Sequence, residues 1–330
     1  MNSIFKFTFL IIIILMPFFS AKASEIRAFH NINQLPFKQI YGLPSLDNSP
    51  LTEAGQFRTS LISNISNTYD ISAGTHDIIE TDAETLRTCL IVSYAVRNNW
   101  QLGIEVPYVR HSGGFLDDFI YDWHDFFGMP QNSRDENNGE QLAVDYFSTT
   151  GVSFALSGSG GGIGDIRISS TNTLPWKNRA LIFSTELKLP SGDFDKLTGS
   201  GGLDISAGLT LNDPYSLKEY NITVFGGLAG VYMDDIDGNM AAIQNNFALA
   251  GRAGIGWQAS RLIQLKLQVD AQTPLYDSDI KELGDPSLQL VMGGAINFSD
   301  NAYLDISFAE DINTSTAADM AFQLALVAIY

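Results

Sequence analysis

Apolar and polar residues alternate along most of the chain after Gly55, with the period of two that is typical of β-strands. In residues 263–272 (IQLKLQVDAQ), the letters I, L, L and V share one face and the polar letters share the other. Successive strand side chains point to opposite sides, so such a segment has one apolar and one wet face. The pattern predicts twelve strands, at 56–67, 85–96, 100–110, 163–174, 179–189, 203–212, 220–231, 247–259, 262–273, 287–298, 301–309 and 320–330.

The connections between these strands alternate in length. Short turns are expected at 98–99, 175–178, 212–219, 260–261 and 299–300, and long polar connections at 68–84, 111–162, 190–202, 232–246, 274–286 and 310–319. An outer-membrane barrel has short periplasmic turns, long extracellular loops and an even number of strands. The predicted fold class is therefore all-β: a transmembrane antiparallel β-barrel of about twelve strands over 55–330, with 111–162 as a long extracellular loop.

The long loop begins with aromatic residues at helical spacing, and Gly128 and Pro130 follow them. This spacing predicts a helix that caps the barrel mouth, folds into the lumen or lies in the outer-leaflet interface. The residues that we expect to gate the lumen from this helix are Phe115, Phe119, Trp123, His124 and Phe127.

Two segments precede the barrel. Residues 1–23 combine Lys6, an apolar run and an Ala-Lys-Ala cleavage signal, which is the layout of a secretory signal peptide. Residues 24–54 contain Pro36, Pro44 and Pro50 and lack strand alternation, so they are expected to be a pre-barrel segment in the periplasm or a plug in the lumen.

If apolar strand positions face lipid, charged strand positions face the lumen. Two interpretations remain open: a narrow polar channel with charges of both signs, or a lumen that is closed by pairing of those charges. The candidate lumen-lining residues are Arg87, Glu105, Asp165, Arg167, Glu186, Lys188, Asp204, Arg252, Lys266, Asp270 and Asp305.

Two features near the ends of strands favour a membrane barrel. Aromatic residues lie close to the predicted short turns, where an amphipathic ring prefers the depth of the lipid headgroups; they are Trp100, Trp176, Tyr215, Tyr220 and Trp257. The last strand ends in the aromatic residue Tyr330, like the signal that the barrel-assembly machinery reads. Outer-membrane lipid, lipopolysaccharide and that machinery are the expected partners, at the outer membrane of a Gram-negative bacterium.

Composition narrows the functional classes. The formal net charge is −18, with 19 Lys and Arg against 37 Asp and Glu, which argues against nucleic-acid binding. The pair His111-Ser112 is poor geometry for a catalytic dyad, because adjacent strand residues point to opposite faces. We expect no enzyme activity, cofactor or metal.

Three stretches resemble a known family. They are Asn33–Pro44 (NQLPFKQIYGLP), Gly114–Pro130 (GFLDDFIYDWHDFFGMP) with Arg134, and Gly162–Ile166 (GIGDI) together with Leu189–Asp193 (LPSGD). They resemble the proteobacterial outer-membrane proteins that are grouped as domain of unknown function 3187, across nearly the whole mature chain. GIGDI and LPSGD are also similar to barrel proteins of aromatic-compound degradation pathways, which are presumed uptake channels. The resemblance implies an outer-membrane barrel and supplies no catalytic residues.

Together these patterns favour a barrel that passes or binds a small solute through a lumen of mixed charge. The alternative is a plugged structural or surface-interaction barrel without transport. A barrel enzyme is the third hypothesis.

Overall fold

The computed structural model describes residues 25–51, 53–113, 142–177 and 179–330. These residues form fifteen β-strands, and one short α-helix and three 3-10 helices lie in the connections between the strands. The 3-10 helices are Phe194–Lys196, Lys218–Tyr220 and Asn239–Ile243, and the α-helix α1 is Lys281–Gly284. The strands are β1 (Phe57–Ala73), β2 (Asp77–Arg97), β3 (Trp100–Ser112), β4 (Ala143–Ser148), β5 (Ser153–Leu156), β6 (Gly160–Ile163), β7 (Arg167–Trp176), β8 (Arg179–Lys188), β9 (Asp204–Leu217), β10 (Ile222–Met233), β11 (Phe247–Gln258), β12 (Ile263–Gln272), β13 (Ser287–Ser299), β14 (Ala302–Asp311) and β15 (Met320–Ile329).

Twelve of these strands close into an antiparallel barrel, as the alternation predicts. β3 pairs with both β2 and β7, the strands from β7 to β15 pair in chain order, and β15 pairs with β1. Arg58 lies opposite Ile329, and reciprocal backbone hydrogen bonds between Phe57 and Tyr330 (2.7 and 2.9 Å) extend the closure to the end of the chain. Closure leaves the wall without an unpaired strand edge, which lipid would not tolerate.

The barrel has apolar residues outside and polar residues inside. In β12, Ile263, Leu265 and Leu267 are exposed, whereas Gln264 and Lys266 are buried. The same arrangement, with apolar residues exposed and polar residues buried, recurs around the wall, as expected for a surface that faces lipid. Among the described residues, no helix is long and apolar enough to cross a membrane.

The barrel has two unlike ends. β1 begins and β15 ends at the end that carries the short turns, here called the turn end. The long connections lie at the opposite, loop end, where the hairpin β4–β5 extends the sheet from β2 and β6 pairs with the last residues of β3.

Three predicted boundaries are wrong. The interval 68–84 is not a long connection, because β1 and β2 continue as a hairpin to Ala73 and Asp77. The predicted strand 163–174 is interrupted at 164–166, where Asp165 turns into the barrel interior and is buried. The interval 212–219 is largely strand, since β9 runs to Leu217. Outside the lipid, strand pairing needs no apolar face, so the pattern carries no signal for it.

Residues 25–51 run through the interior of the barrel and are here called the plug. Beginning near the turn end, where Ile26 packs against Gly256, the plug rises along β11–β13. It turns over 35–41 at the loop end and descends until Leu51 donates its N–H to Gln101 of β3. The plug therefore fills one side of the lumen along the whole length of the barrel.

The predicted signal peptide (1–23), the loop helix and its five candidate gate residues, Phe115, Phe119, Trp123, His124 and Phe127, lie outside the described residues.

The apolar exterior makes a quantitative prediction. Leu267→Arg, at the middle of β12, would bring a charge to the centre of the lipid-facing wall and is expected to destabilise the folded barrel by about 2–4 kcal/mol. Leu262→Arg, in the turn that precedes the same strand, is the control and should cost about 0–1 kcal/mol. Urea unfolding in lipid vesicles measures both. Equal effects at the two positions would contradict the lipid-facing assignment.

Candidate functional site

Charged side chains in the barrel interior form five ion-paired groups. The eleven candidate lumen residues all take part: nine are buried, and Glu186 and Asp270 are half-buried. The groups are Arg87–Glu105 (3.0 Å), Arg167–Glu186 (3.4 Å), Lys188 with Asp165 (2.7 Å) and Asp204 (3.1 Å), Arg252–Asp270 (2.5 Å) and Lys266–Asp305 (2.6 Å). Charges of opposite sign are thus matched within the wall.

Three of the five groups donate hydrogen bonds to backbone carbonyls of the plug. Arg167 donates to the carbonyl oxygens of Tyr41 and Leu43, both at 2.9 Å. Arg252 donates to those of Asn31 (3.0 Å) and Ser45. Lys188 donates to the Ile40 carbonyl at 3.2 Å. The wall cations therefore hold the plug by its main chain.

The other two groups contact plug side chains. Nε2 of His30 lies 3.6 Å from a carboxylate oxygen of Glu105, which pairs with Arg87. The ammonium of Lys266 lies 4.0 Å from the ring centroid of Phe29, at a distance suited to a cation–π contact. Every one of the five groups consequently touches the plug.

Lys188 joins the largest number of separate segments. Its ammonium pairs with Asp165 of the interrupted wall and Asp204 of β9. Asp165 also accepts backbone N–H groups from Gly192 (2.8 Å) and Ser200 (2.9 Å), and Asp204 accepts the N–H of Gly42 in the plug at 2.6 Å. This cluster, here called the Lys188 knot, ties β7, β8, β9, the 189–203 connection and the plug together.

An apolar cluster, here called the loop-end seal, covers the plug turn. It combines plug residues with residues of the β4–β5 hairpin and of three connections. The aromatic rings of Phe37, Phe154 and Phe194 pack in series with centroids 5.3 and 5.2 Å apart, and Tyr41 packs on Tyr276 at 5.7 Å. The seal closes the loop end with side chains that the sequence analysis did not select.

A cavity of about 120 Å³, here called the lumen cavity, remains beside the plug on the β1–β2–β3–β7–β8 side, in the half nearer the turn end. Its wall carries the charged residues Arg58, Glu105, Arg167, Glu186, Arg252 and Asp305 and the hydroxyl residues Ser60, Ser93, Ser169, Thr171, Ser184, Thr185 and Ser206. The cavity is therefore polar, with a mixed-charge lining.

Alternation in the sequence could also have identified Arg58. It is an inward residue of β1 that pairs with Asp47 at 3.0 Å and donates to the Ser49 carbonyl, so it holds the descending leg of the plug. His111 is buried and contacts Thr85 (2.9 Å), the Leu197 carbonyl (3.2 Å) and Gln39 (3.4 Å). These contacts give His111 a place in the packing between plug and wall.

A family model described as "Protein of unknown function (DUF3187)" matches residues 5–328. The chain belongs to the DUF3187 family. No curated protein sequence matches it significantly. The resemblance that the three motifs indicate is therefore confirmed over nearly the full chain.

One solved structure shares the barrel fold of this DUF3187 protein. The COG4313 outer membrane channel from Pseudomonas putida F1 has a TM-score of 0.56 and 11% sequence identity, over 86% of this chain and 97% of that chain. The translocator domain of the autotransporter NalP from Neisseria meningitidis has a TM-score of 0.41 and 10% identity, over 83% and 88%. The first similarity supports a common fold, that of a bacterial outer-membrane barrel, and the second is too low to do so.

The Lys188 knot makes a stability prediction for this DUF3187 protein. Lys188→Met would leave two buried carboxylates without their shared cation and is expected to destabilise the fold by about 3–5 kcal/mol. Lys196→Met is the matched control, because that lysine pairs with Asp193 on an exposed part of the same connection. The urea midpoint in vesicles should fall for the first variant only. An unchanged midpoint for Lys188→Met would show that the Lys188 knot does not stabilise the fold.

A carboxylate in the 273–286 connection makes a pH prediction. Burial raises the pKa of Glu282 to about 7, Asp70 lies nearby, and the carboxylate accepts a hydrogen bond from Ser72 at the loop end of β1. Because the pKa is raised above its ordinary value of about 4.3, the packing of the 273–286 connection against β1 is most stable below pH 4.3. This packing weakens as the pH rises through 7 and the carboxyl group loses its proton. The rate of proteolysis of the connection, divided at each pH by the rate at which the same protease cuts an unstructured peptide, should therefore be higher at pH 8.5 than at pH 5.

Glu282→Gln should abolish that difference, since the amide stays neutral at both pH values. Glu219→Gln, on the exposed turn end, is the control and should retain it. A difference that persists in Glu282→Gln would assign the pH dependence to another group.

Proposed function

We propose that this protein is an outer-membrane barrel that binds a small solute in the lumen cavity and passes it when the plug moves. The observation that carries the proposal is a plug held at all five ion-paired groups beside a polar cavity that it leaves unfilled. The channel function of the P. putida barrel, whose fold this chain shares, supports the same class of activity.

The proposed orientation puts the turn end in the periplasm. Trp176, Tyr215, Tyr220 and Trp257 are exposed at that end, at the level where aromatic side chains meet headgroups. The proposal includes export by the signal peptide, outer contacts with lipid and lipopolysaccharide, recognition of β15 by the barrel-assembly machinery, and no enzymatic step.

A permanently plugged structural barrel is the second candidate. The loop-end seal favours it, because this apolar cluster packs the plug turn against the β4–β5 hairpin and the connections at that end. The two candidates differ in whether the plug ever leaves its place.

A reversible tether separates them. Asn33 of the plug donates a hydrogen bond to Ser287 of β13 at 3.1 Å, so these two positions are neighbours at which a pair of cysteines can be tested for disulfide formation. Asn33→Cys and Ser287→Cys are introduced with Cys89→Ser, which removes the buried native thiol of the described chain. Conductance in planar bilayers is then measured with the tether oxidised and reduced.

We expect solute-permeable openings in the reduced protein and their loss, by at least tenfold in frequency, after oxidation. Deletion of residues 26–50 should give a persistently open barrel if heat-modifiable migration shows that it folds. The Cys89→Ser protein alone is the control and should not respond to oxidation. Equal conductance in both redox states, or silence in every variant, would reject the channel proposal and favour the plugged barrel.

A further inference from the structure

The lumen cavity lies between two unlike surfaces. On the side of β1, β2 and β15 its lining includes the apolar residues Ile62, Ile91 and Val327. On the side of β7 and β8 its lining includes Thr171 and Ser184, which face each other as cross-strand partners. A bound solute would meet carbon on one side and hydroxyl groups on the other.

The charged wall residues around the cavity are paired, whereas Arg27 of the plug, which also lines it, has no carboxylate within salt-bridge distance among the described residues and donates to the hydroxyls of Ser49 and Tyr303, both at 3.1 Å. Arg58 pairs with Asp47 at 3.0 Å, and Arg167 pairs with Glu186 at 3.4 Å. A charged solute would have to break one of these ion pairs or take Arg27 from its two hydroxyl partners, and leaving a desolvated charge without its partner is costly in a confined site. The electrostatics therefore favour a solute without net charge.

The hydrogen-bonding capacity that remains belongs largely to hydroxyl groups. Ser60, Ser93 and Thr171 are more than nine-tenths buried, and their hydroxyls have no hydrogen-bond partner among the described residues. Buried polar groups normally have partners, so this cavity is built to receive a molecule that both donates and accepts.

Size limits the choice further. A volume of about 120 Å³ is of the same order as the cavity of about 150 Å³ that binds one benzene ring in another protein. This is room for one six-membered polyol or sugar ring and too little for two. Such a ring also has an apolar face of C–H groups and a rim of hydroxyl groups, which matches the two surfaces of the cavity.

We propose that the lumen cavity binds a neutral polyhydroxylated solute of monosaccharide size between the hydroxyl wall of β7–β8 and the apolar side chains of β1, β2 and β15. The inference rests on the proposed function and specifies its solute. It concerns equilibrium binding, and it holds or fails whether or not the barrel conducts.

The test measures binding of three radiolabelled neutral probes, glucose, galactose and mannitol, to the full-length protein by equilibrium dialysis in a detergent without sugar groups. Glucosamine and glucuronate are the charged probes of similar size, and toluene is the apolar probe. We expect saturable binding of at least one neutral probe, at one site per barrel and at least tenfold tighter than any charged or apolar probe. No saturable neutral binding, or tighter charged or apolar binding, would overturn the proposal.

Variants assign the site. Thr171→Val with Ser184→Ala removes two wall hydroxyls with little change in shape and should weaken neutral binding at least tenfold, because the solute hydroxyls then lose their partners. Ser307→Ala is the control: this serine is similarly buried in the wall but lies outside the cavity lining, and the variant should bind as the parent does. Heat-modifiable migration checks that both variants fold. Unchanged affinity in the double variant would place binding elsewhere and overturn the proposal.

The two proposals fail separately. If conductance responds to the tether but no neutral probe binds, the channel proposal stands and this solute class is rejected. Neutral binding without conductance would retain the site and reject transport.

Discussion

The structure depends on hydrogen bonds in which the barrel wall and the plug supply each other's buried polar groups with partners. Buried cations need more acceptors than one carboxylate each, and a segment with little regular secondary structure needs donors for its main-chain carbonyls. Arg167, Lys188 and Arg252 meet both needs at once, since each pairs with a carboxylate and donates to the plug. Neither the lumen charges nor the plug would be satisfied alone.

This reciprocity constrains how the plug could move. Withdrawing it whole would expose five ion-paired groups to water at once, whereas shifting one leg would release only part of them. The descending leg is held by Arg58 through Asp47 and the Ser49 carbonyl and by Gln101 through Leu51. The plug turn, in contrast, is held by the knot and the seal. The contacts at the loop end therefore decide whether the plug can leave as a whole, which is the movement that a tether between Asn33 and Ser287 blocks.

The sequence predicts the wall well and the interior poorly, for a physical reason. Lipid imposes a strict alternation on each membrane strand, so the twelve strands and the inward charges are readable from the period of two. At the loop end, the β1–β2 hairpin follows no such rule, and the alternation predicts a polar loop there. The plug has no period at all, and its path is determined by partners that lie more than one hundred residues away, such as Asp204 for Gly42. The pairing of the charges also requires the strand register, which the alternation does not contain.

The motifs of the family resemblance that lie within the described residues have a structural explanation in the same contacts. Gly164 of GIGDI and Gly192 of LPSGD lie where an added Cβ would meet backbone atoms of the 189–203 connection at 2.6–2.7 Å, so both positions need glycine. Asp165 of the first motif receives the N–H of Gly192 and the ammonium of Lys188. The third stretch, 33–44, is the plug turn that the knot and the seal hold. These motifs thus form the junction between plug and wall. Their residues are already used in that junction, so the candidate solute site is the hydroxyl wall of the lumen cavity, which contains none of these motifs.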